Sequence, residues 1–303
     1  MRKYYTRACN FFYGSESKKL VKKKITLPLS GDNSISFNQI EIFSKKKNTV
    51  TSRLINIRDI KKLSSKIKDK VNKDLKKIKS RKQLYGKKPF LIMGVLNLTP
   101  DSFSDGGKFN SFKKASQRIK KMIRAGADII DIGGESTRPG SKIIDKHIEL
   151  FRVKKVIDNF KKKYPKIFLS VDTRKSLIID YSLNKNADII NDISCFKFDQ
   201  NSFDSVKNNN IWKIIHHMQG TPQTMQNNPK YNHVLLDIYD FFEKNIKSRF
   251  NDKNIILDPG IGFGKNLKHN ITILKNISIY HSLGFPILLG ISRKRFIKDI
   301  SGS

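Results

Sequence analysis

From residue 90 onward, short continuous apolar runs alternate with stretches in which apolar residues recur every three or four positions. The runs are rich in Ile, Val and Leu and predict buried strands at 90–96, 128–132, 167–171, 188–190, 212–215, 255–257 and 286–289. Between them, sets such as Phe112, Ala115 and Ile119 share one helical face. Seven strands, each followed by a helix, imply parallel pairing through right-handed crossovers, as in a doubly wound sheet or a (β/α)₈ barrel.

Polar residues that end the predicted strands favour the barrel. These residues are Asn97, Asp131, Asp172, Asn191, Asp192, His216, Asp258 and the segment Ser292–Lys294. In a barrel the carboxyl ends of all strands meet at one mouth, so side chains far apart in sequence form one site. We therefore predict an α/β fold of the (β/α)₈ TIM-barrel class, with about seven of its strands in this chain.

Residues 1–88 predict a smaller basic element in front of the barrel at 89–303. Short strands are expected at 25–29 and around 35–42, and apolar positions recurring through 57–78 predict a long amphipathic helix. Its lysine-rich face could bind RNA or acidic lipid. Alternatively, the apolar stripe packs on its own domain and the lysines are solvated. The sequence assigns this element no role.

The net charge is +35 over 303 residues, which raises the hypothesis of a nucleic-acid partner. The charge is concentrated at the amino end, where 1–88 carry 26 basic and 6 acidic residues, while 89–303 carry 35 and 20. Lysine, asparagine and isoleucine are abundant and arginine is the minority basic residue, a pattern that A/T-rich codon usage alone produces. We therefore expect no nucleic-acid partner.

Composition excludes several other classes of protein. With 38% hydrophobic and 29% charged residues, the chain can bury a core and is too apolar to be wholly disordered. Its longest apolar stretch, 90–96, is far shorter than the roughly 20 residues of a membrane span, and 1–5 lack an apolar signal region. Two cysteines, Cys9 and Cys195, are interpreted as reduced thiols in a cytoplasmic protein.

Three segments are too unusual to be plain connections. Residues 93–107 lead from a strand into a loop with hydroxyls, two carboxylates and a glycine pair, which suits a mobile lid. Residues 131–140 place an arginine and hydroxyls among glycines and could hold an oxyanion. Residues 258–265 are glycine-rich but not a P-loop, because Pro259 and Asn266 stand where Gly and Ser or Thr are needed.

In order and spacing across 90–299, these segments resemble the dihydropteroate synthase family. The resemblance also rests on Val171–Thr173, Ile190–Ile193, His217–Gly220 and Ser292–Lys294. It implies a transferase that condenses 6-hydroxymethyl-7,8-dihydropterin pyrophosphate with 4-aminobenzoate, giving 7,8-dihydropteroate and pyrophosphate in folate biosynthesis. It further implies Mg²⁺ as cofactor, a homodimer and a cytoplasmic location.

The resemblance assigns pterin binding to Asp172, Asn191, Met218, Asp258, Phe263 and Lys294. A carboxylate such as that of Asp258 can accept two parallel hydrogen bonds from the amidine-like edge of a pterin. Lys294 would donate to the ring carbonyl and a ring nitrogen, while Met218 and Phe263 would pack on its faces. Taken singly, Asp172 and Asp258 could instead be helix N-caps.

For aminobenzoate and pyrophosphate, the resemblance implies Phe103, Thr137, Arg138, Pro139 and Ser292. Asp101, Arg138 and Lys294 are the implied catalytic residues, and Asn97 the implied Mg²⁺ ligand. Asn97 could alternatively bind only turn backbone. We expect a dissociative substitution in which pyrophosphate leaves early and the arylamine attacks an electron-poor methylene.

Two remaining candidates are assigned no catalytic role. Adjacent strand residues point to opposite faces, so His216 and His217 cannot easily share a metal ion; one is expected at the barrel mouth and the other against a helix. Cys195 has no obvious paired base and is not expected to be a nucleophile.

The sequence departs from the family pattern after Ser292–Phe296, because it ends at Ser303. The Arg and His of the family's last strand, which contact pyrophosphate, have no counterpart here, so we expect poor activity from this chain alone. Two alternatives stay open at this point. One is another pterin-binding barrel, such as the methyltetrahydrofolate-binding part of a methyltransferase, and the other is a basic nucleic-acid-binding protein on a degenerate barrel.

Overall fold

Two sheets organise the part of the chain that the structure describes. The computed structural model describes residues 2–81, 84, 90–99, 108–250, 254–292, 294 and 297. An antiparallel sheet lies near the amino end, and a parallel sheet holds the later strands. This division follows the change of hydrophobic pattern near residue 90.

Among the described residues, six parallel strands lie side by side in the order in which they occur along the chain. They are β5 (Met93–Asn97), β6 (Ile129–Gly133), β7 (Phe168–Asp172), β8 (Ile189–Asp192), β9 (Trp212–His216) and β10 (Ile255–Asp258). A seventh segment joins β10 through a parallel bridge between Leu257 and Ile287. A doubly wound sheet reverses its order at a switch point, so the unbroken order confirms the predicted barrel.

Helices cover the outer face of this sheet. They are α3 (Lys108–Arg124), α4 (Lys146–Lys163), α5 (Ser176–Leu183), α6 (Ser202–Lys207), α7 (Val234–Ser248), α8 (Leu267–Asn276) and a 3₁₀ helix (Ile277–Leu283). Side chains alternate between the faces of each strand. Ile130 and Ile132 therefore pack in the large core that includes the helices, while Ile129 packs with Ile189 and Ile214 in a separate inner cluster.

No helix in the described ranges is at once long enough and apolar enough to cross a membrane.

The amino-terminal element is built around one long strand. Its parts are β1 (Lys3–Tyr13), α1 (Gly14–Lys22), β2 (Leu27–Leu29), β3 (Asp32–Lys46), β4 (Thr49–Asn56), a 3₁₀ helix (Ile57–Lys62) and α2 (Ser65–Lys79). Strand β3 pairs with β1 on one side and with β2 and β4 on the other, antiparallel throughout.

This element is richer in structure than the sequence pattern predicted. The strands expected at 25–29 and 35–42 correspond to β2 and part of β3, but β1, α1 and β4 were not predicted. The helix expected through 57–78 is divided, because the backbone is extended at Leu63 and Ser64 and α2 begins only afterwards.

One face of the amino-terminal sheet is covered by α2. Val71, Leu75 and Ile78 are buried against Phe37 and Ile40. The apolar stripe of this helix is thus occupied by its own sheet, as in the packing alternative given above.

The opposite face of the sheet contacts the barrel at α7. The rings of Tyr5 and Tyr239 meet edge to face with centroids 5.0 Å apart. Asp240 accepts hydrogen bonds from Lys3 at 2.5 Å and from Lys45 at 3.2 Å. Tyr5 belongs to the same buried cluster as the barrel helices, so the two sheets share one hydrophobic core.

Candidate active site

The carboxyl ends of the central barrel strands bring three of the predicted positions, Asn97, Asp172 and Asn191, into one row with Gly133. In the sheet register, Asn97 lies opposite Gly133, Gly133 opposite Asp172, and Asp172 opposite Asn191. A Cβ atom added to Gly133 would lie 3.4 Å from Oδ2 of Asp172 and 3.6 Å from Oδ1 of Asn97. The glycine therefore leaves the space between these two oxygens open.

Asp172 lies in an unusually acidic surrounding. Burial raises the pKa of its carboxyl well above the usual value, and the nearby carboxylates of Asp131 and Glu149 raise it further. A carboxyl in this position holds a proton more readily than an exposed aspartate does. It can therefore donate as well as accept a hydrogen bond.

Asp258 ends β10 and has one oxygen engaged and one available. Oδ1 accepts a hydrogen bond from the backbone N–H of Gly260 at 2.8 Å, while Oδ2 lies 3.9 Å from Nε2 of His216. Burial lowers the pKa of His216 to about 4, so this ring is neutral near pH 7. The helix N-cap considered from the sequence is not formed, because no helix begins after Asp258 and its Oδ1 instead stabilises the turn at Gly260. Among the described residues, no hydrogen bond reaches Oδ2, so this oxygen can accept from a ligand.

The glycine-rich loop after β10 lies directly on the end of β9. At Gly260, φ is +67° and an added Cβ atom would be 2.0 Å from the carbonyl oxygen of His217. At Gly264, φ is +60° and an added Cβ atom would be 2.6 Å from the carbonyl oxygen of Gln219. At each position, only glycine combines a positive φ with so close an approach to a carbonyl oxygen without displacing the chain.

Lys294 reaches across this loop from the segment after the seventh strand. Its Nζ donates to the carbonyl oxygen of Ile261 and lies 4.4 Å from the ring centroid of Phe263. Burial lowers the pKa of Lys294. The rings of Phe263 and His216 also meet edge to face, with centroids 4.5 Å apart. Phe263 therefore contacts Lys294 and also the histidine that lies beside Asp258.

The loop between β6 and α4, which carries Thr137, Arg138 and Pro139, forms the opposite wall. The loop between β9 and α7 supports it, because Gly140 N–H donates to the carbonyl oxygen of Pro222 at 3.0 Å. Gln223 Nε2 also donates to a backbone oxygen of this loop, at 2.8 Å. Arg138 is exposed, so its guanidinium is available to an anion.

A cavity of about 1500 Å³ lies between these walls. Seven of the predicted residues line it: Asn97, Thr137, Arg138, Pro139, Phe263, Ser292 and Lys294. A planar bicyclic ring with a pyrophosphate group and an arylamine fits within this volume.

The remaining predicted positions are placed as follows. Met218 is half-buried directly after His217, and the β9–α7 residues that line the cavity are Met225 and Gln226. Asp101 and Phe103, both in the predicted lid, lie outside the described residues.

The two adjacent histidines diverge as expected. His216 lies beside Asp258, whereas the ring of His217 meets Phe241 of α7, with centroids 4.9 Å apart. Cys195 is 1% exposed, and burial raises the pKa of its thiol to about 12, which keeps it protonated and unreactive.

A buried charge network behind the Arg138 loop was not predicted. Glu135 accepts from Arg174 at 2.9 Å, from Lys175 at 3.2 Å and from the N–H of Ile144 at 3.1 Å. Burial disfavours its ionised form, but the Arg174 and Ile144 hydrogen bonds outweigh this and lower the pKa of Glu135. Lys175 also donates to Glu149 at 2.5 Å. The sequence signal for this network was that Glu135 lies within the segment 131–140 and that Arg174 and Lys175 directly follow the strand-end segment Val171–Thr173.

The comparisons with known proteins agree with this geometry. Residues 93–303 match the family described as pterin binding enzyme. The dihydropteroate synthase of Haemophilus influenzae is 40% identical over 210 residues, covering 68% of this chain and 76% of the relative. That of Bacillus subtilis is 41% identical over 217 residues, covering 70% and 73%.

Solved structures give the same result. The Yersinia pestis dihydropteroate synthase in a sulfonamide drug complex has a TM-score of 0.65 and 39% identity, covering 70% of this chain and 78% of that one. The Xanthomonas albilineans enzyme in complex with 7,8-dihydropteroate has a TM-score of 0.62 and 31% identity, covering 70% and 76%. The predicted TIM-barrel fold and family are confirmed, and the chain belongs to the pterin-binding enzymes, among the dihydropteroate synthases.

Proposed function

We propose that this chain transfers the 7,8-dihydropterin-6-ylmethyl group of 6-hydroxymethyl-7,8-dihydropterin pyrophosphate to the amine of 4-aminobenzoate, forming 7,8-dihydropteroate and releasing pyrophosphate. The observation that carries the proposal is a cavity lined by Phe263, Lys294 and the exposed Arg138, next to the polar side chains that end β7, β8 and β10. Asp172, Asn191 and Asp258 are not among the described residues that line this cavity. The strand-end side chains suit the polar edge of a pterin. The arginine suits an anionic leaving group.

Asp258 is proposed to bind the amidine edge of the pterin. None of the described residues donates a hydrogen bond to its Oδ2, and the neutral His216 beside it does not compete as a cation. Asp172 and Asn191 would take the hydrogen-bond donors farther along the same edge, and Lys294 would donate to the ring carbonyl. Phe263 and Met218 would supply apolar walls for the ring.

The leaving pyrophosphate and the aminobenzoate are proposed to lie against the β6–α4 loop. Arg138 and the Thr137 hydroxyl can donate to phosphate or carboxylate oxygens. Pro139 and Ser292, which line the same cavity, would bound the aryl ring, together with Phe103 from the lid. The hydrogen bonds from this loop to Pro222 and Gln223 would hold it in place.

Magnesium is proposed to bind at Asn97. The amide oxygen of Asn97 faces the open space at Gly133, and a hard oxygen donor of this kind suits Mg²⁺. Within the described ranges, no cluster of three or more His, Cys, Asp or Glu side chains is placed to hold a metal. When bound, Mg²⁺ would offset the charge that develops on the departing pyrophosphate.

In the proposed reaction, the bond between the pterin methylene carbon and the pyrophosphate oxygen breaks and takes its electron pair to the phosphate. Arg138 would stabilise that charge, and Asp101 of the lid would stabilise the positive charge left on the pterin. The amine nitrogen then forms the new C–N bond and loses one proton to solvent. Early departure of pyrophosphate suits this weakly basic nucleophile.

The test is release of pyrophosphate that requires both the pterin pyrophosphate and 4-aminobenzoate. Asp258→Asn should lower kcat/KM for the pterin substrate about a hundredfold, because a buried charged acceptor is lost. Asp204→Asn, an equal change at an exposed carboxylate paired with Lys207, serves as control. Calorimetric binding of the pterin pyrophosphate should show the same difference. Pyrophosphate release that does not depend on 4-aminobenzoate would contradict the proposal.

A homodimer and a cytoplasmic location stay predictions from the family resemblance. Sedimentation and fractionation of cells expressing the chain would test them.

A further inference from the structure

Asp131 is a buried carboxylate next to the site that the proposed reaction does not use. It is 4% exposed and lies in β6, facing the barrel interior. Its Oδ1 accepts a hydrogen bond from Ser170 Oγ at 2.6 Å, and its Oδ2 accepts one from Asn191 Nδ2 at 3.0 Å. Because the two donors come from β7 and β8, this carboxylate connects three strands directly beneath the row of site residues.

The hydrogen bond to Asp131 determines how the amide of Asn191 is turned. With Nδ2 directed at the carboxylate, Oδ1 must point the other way. This Oδ1 is buried and accepts no hydrogen bond from any residue in the described part of the chain. Turning the amide over would place its oxygen against the carboxylate of Asp131, which is repulsive. A buried acceptor without a donor is unfavourable unless a ligand supplies one.

The order of the strands indicates which donor that is, given the proposed function on which this step rests. Along the edge of a dihydropterin lie N3–H, the 2-amino group, N1 and N8–H. Asp258 on β10 can accept from N3–H and from one hydrogen of the amino group. Asp172 on β7 lies toward N8–H. Asn191 on β8 lies between them in the sheet, opposite the second hydrogen of the 2-amino group.

We propose that Asp131 is a positioning residue that fixes the amide of Asn191 with its oxygen toward the pterin. It thereby makes the site selective for a ring that carries a 2-amino donor. A ring with only hydrogen at position 2 leaves Oδ1 unpaired, and a site built to bind a donor discriminates against an analogue that lacks it.

Three substitutions separate this role from a purely structural one. Asp131→Leu and Asp131→Ala remove the acceptor, the first while filling the space and the second while leaving it open. Asp131→Asn is the matched conservative change, because its amide oxygen can still accept from Asn191 while its nitrogen donates to Ser170. Ser170→Ala is the control, since it leaves the contact between Oδ2 and Asn191 intact.

The measurement is calorimetric binding of 6-hydroxymethyl-7,8-dihydropterin pyrophosphate and of its 2-desamino analogue to each folded variant. The preference of the wild type for the 2-amino ligand should fall about tenfold in the Leu and Ala variants. It should change by less than about threefold in Asp131→Asn and Ser170→Ala. The KM for 4-aminobenzoate should not change, because that substrate is proposed to lie against the β6–α4 loop and not at Asn191.

A second measurement needs no ligand. In spectra of ¹⁵N-labelled protein, the side-chain amide protons of Asn191 should exchange slowly in the wild type and Asp131→Asn, and rapidly in Asp131→Leu.

An unchanged ligand preference in folded Leu and Ala variants would overturn the proposal. So would an equal loss in Asp131→Asn, because charge rather than acceptor geometry would then be responsible. Wild-type protein that bound neither pterin would refute the proposed function and the selectivity together, while the amide spectra would still show whether Asp131 orients Asn191.

Discussion

The ammonium group of Lys265 lies 3.1 Å from Nδ1 of His217. It also donates to the carbonyl oxygens of Phe263 at 2.8 Å and of His217 at 3.2 Å. Two carbonyl oxygens and one ring nitrogen therefore surround Nζ of Lys265, in a place where the lysine is 3% exposed. Through these contacts Lys265 links the glycine-rich loop that carries Phe263 to the end of β9. The proposed pterin contact of Phe263 is therefore held against this strand end.

Replacing this lysine should alter how stability depends on pH. Burial lowers the pKa of Lys265 to about 7, whereas 10.5 is typical of a free lysine. Between these values the unfolded chain binds a proton that the folded chain does not, so the contribution of Lys265 to stability rises with pH. The free energy of unfolding of the wild type, minus that of Lys265→Met, should increase from about pH 7 to about pH 10.

Urea unfolding at several pH values measures that difference. Lys268→Met, at an exposed lysine of α8, is the control and should show no such change. A difference between wild type and Lys265→Met that stays constant with pH would contradict the expectation.

The buried network behind the Arg138 loop should be essential for stability. Lys175→Met would leave the buried carboxylates of Glu135 and Glu149 short of a cation, and we expect a loss of about 3–5 kcal/mol in the free energy of unfolding. Lys207→Met breaks only the exposed pair with Asp204 and should cost about 0–1 kcal/mol. Denaturant titration of both variants checks this, and equal losses would speak against the network.

The close approach of the glycine-rich loop to β9 predicts a contrast between two glycines with positive φ. Gly260→Ala forces a Cβ atom against the carbonyl oxygen of His217 and should cost more than about 3 kcal/mol, with loss of pterin binding. Gly126→Ala, where φ is +98° and no atom lies within 4 Å of the added Cβ, should cost about 1 kcal/mol and leave pterin binding intact. Thermal unfolding and calorimetry measure both, and similar effects would refute the steric argument.

The contact between the amino-terminal sheet and α7 should contribute to stability through Asp240. Asp240→Asn weakens its ion pairs with Lys3 and Lys45 and its hydrogen bond from Tyr5, which are only partly exposed. We expect a loss of about 1 kcal/mol at low salt and less at high salt. Asp59→Asn, in the exposed pair with Lys62, is the control and should have almost no effect. Limited proteolysis within the first 81 residues should be faster only in Asp240→Asn.

The barrel and its mouth were predictable because each depends on local patterns. Short apolar runs identify the strands, and a polar residue directly after a run, such as Asp172 or Asp258, must lie at the carboxyl end of the sheet. Strand β1 could not be found in this way. Both of its faces are buried, one by α2 and one by α7, which removes the alternation between apolar and polar residues that identifies a strand with one solvent face.

The charge partners within the site were not predictable for a different reason. Spacing shows that Glu135 and Lys175 lie near strand ends, but which side chains meet depends on the rotation of each strand and on the helices behind it. The orientation of the Asn191 amide was even less predictable, because it depends on the carboxylate of Asp131, which lies two strands away in the sheet. Such contacts follow from tertiary geometry that no local pattern encodes.

The ion pair between Lys3 and Asp240 joins residues 237 positions apart. During synthesis at about 5–20 residues per second, Asp240 emerges roughly 10–50 s after Lys3. The amino-terminal sheet can pair its own strands within that time, since β1 and β3 lie within the first 46 residues. The Tyr5 face of that sheet nevertheless has to wait for α7, so a nascent chain carries an unpaired hydrophobic surface on the ribosome until most of the barrel has been made.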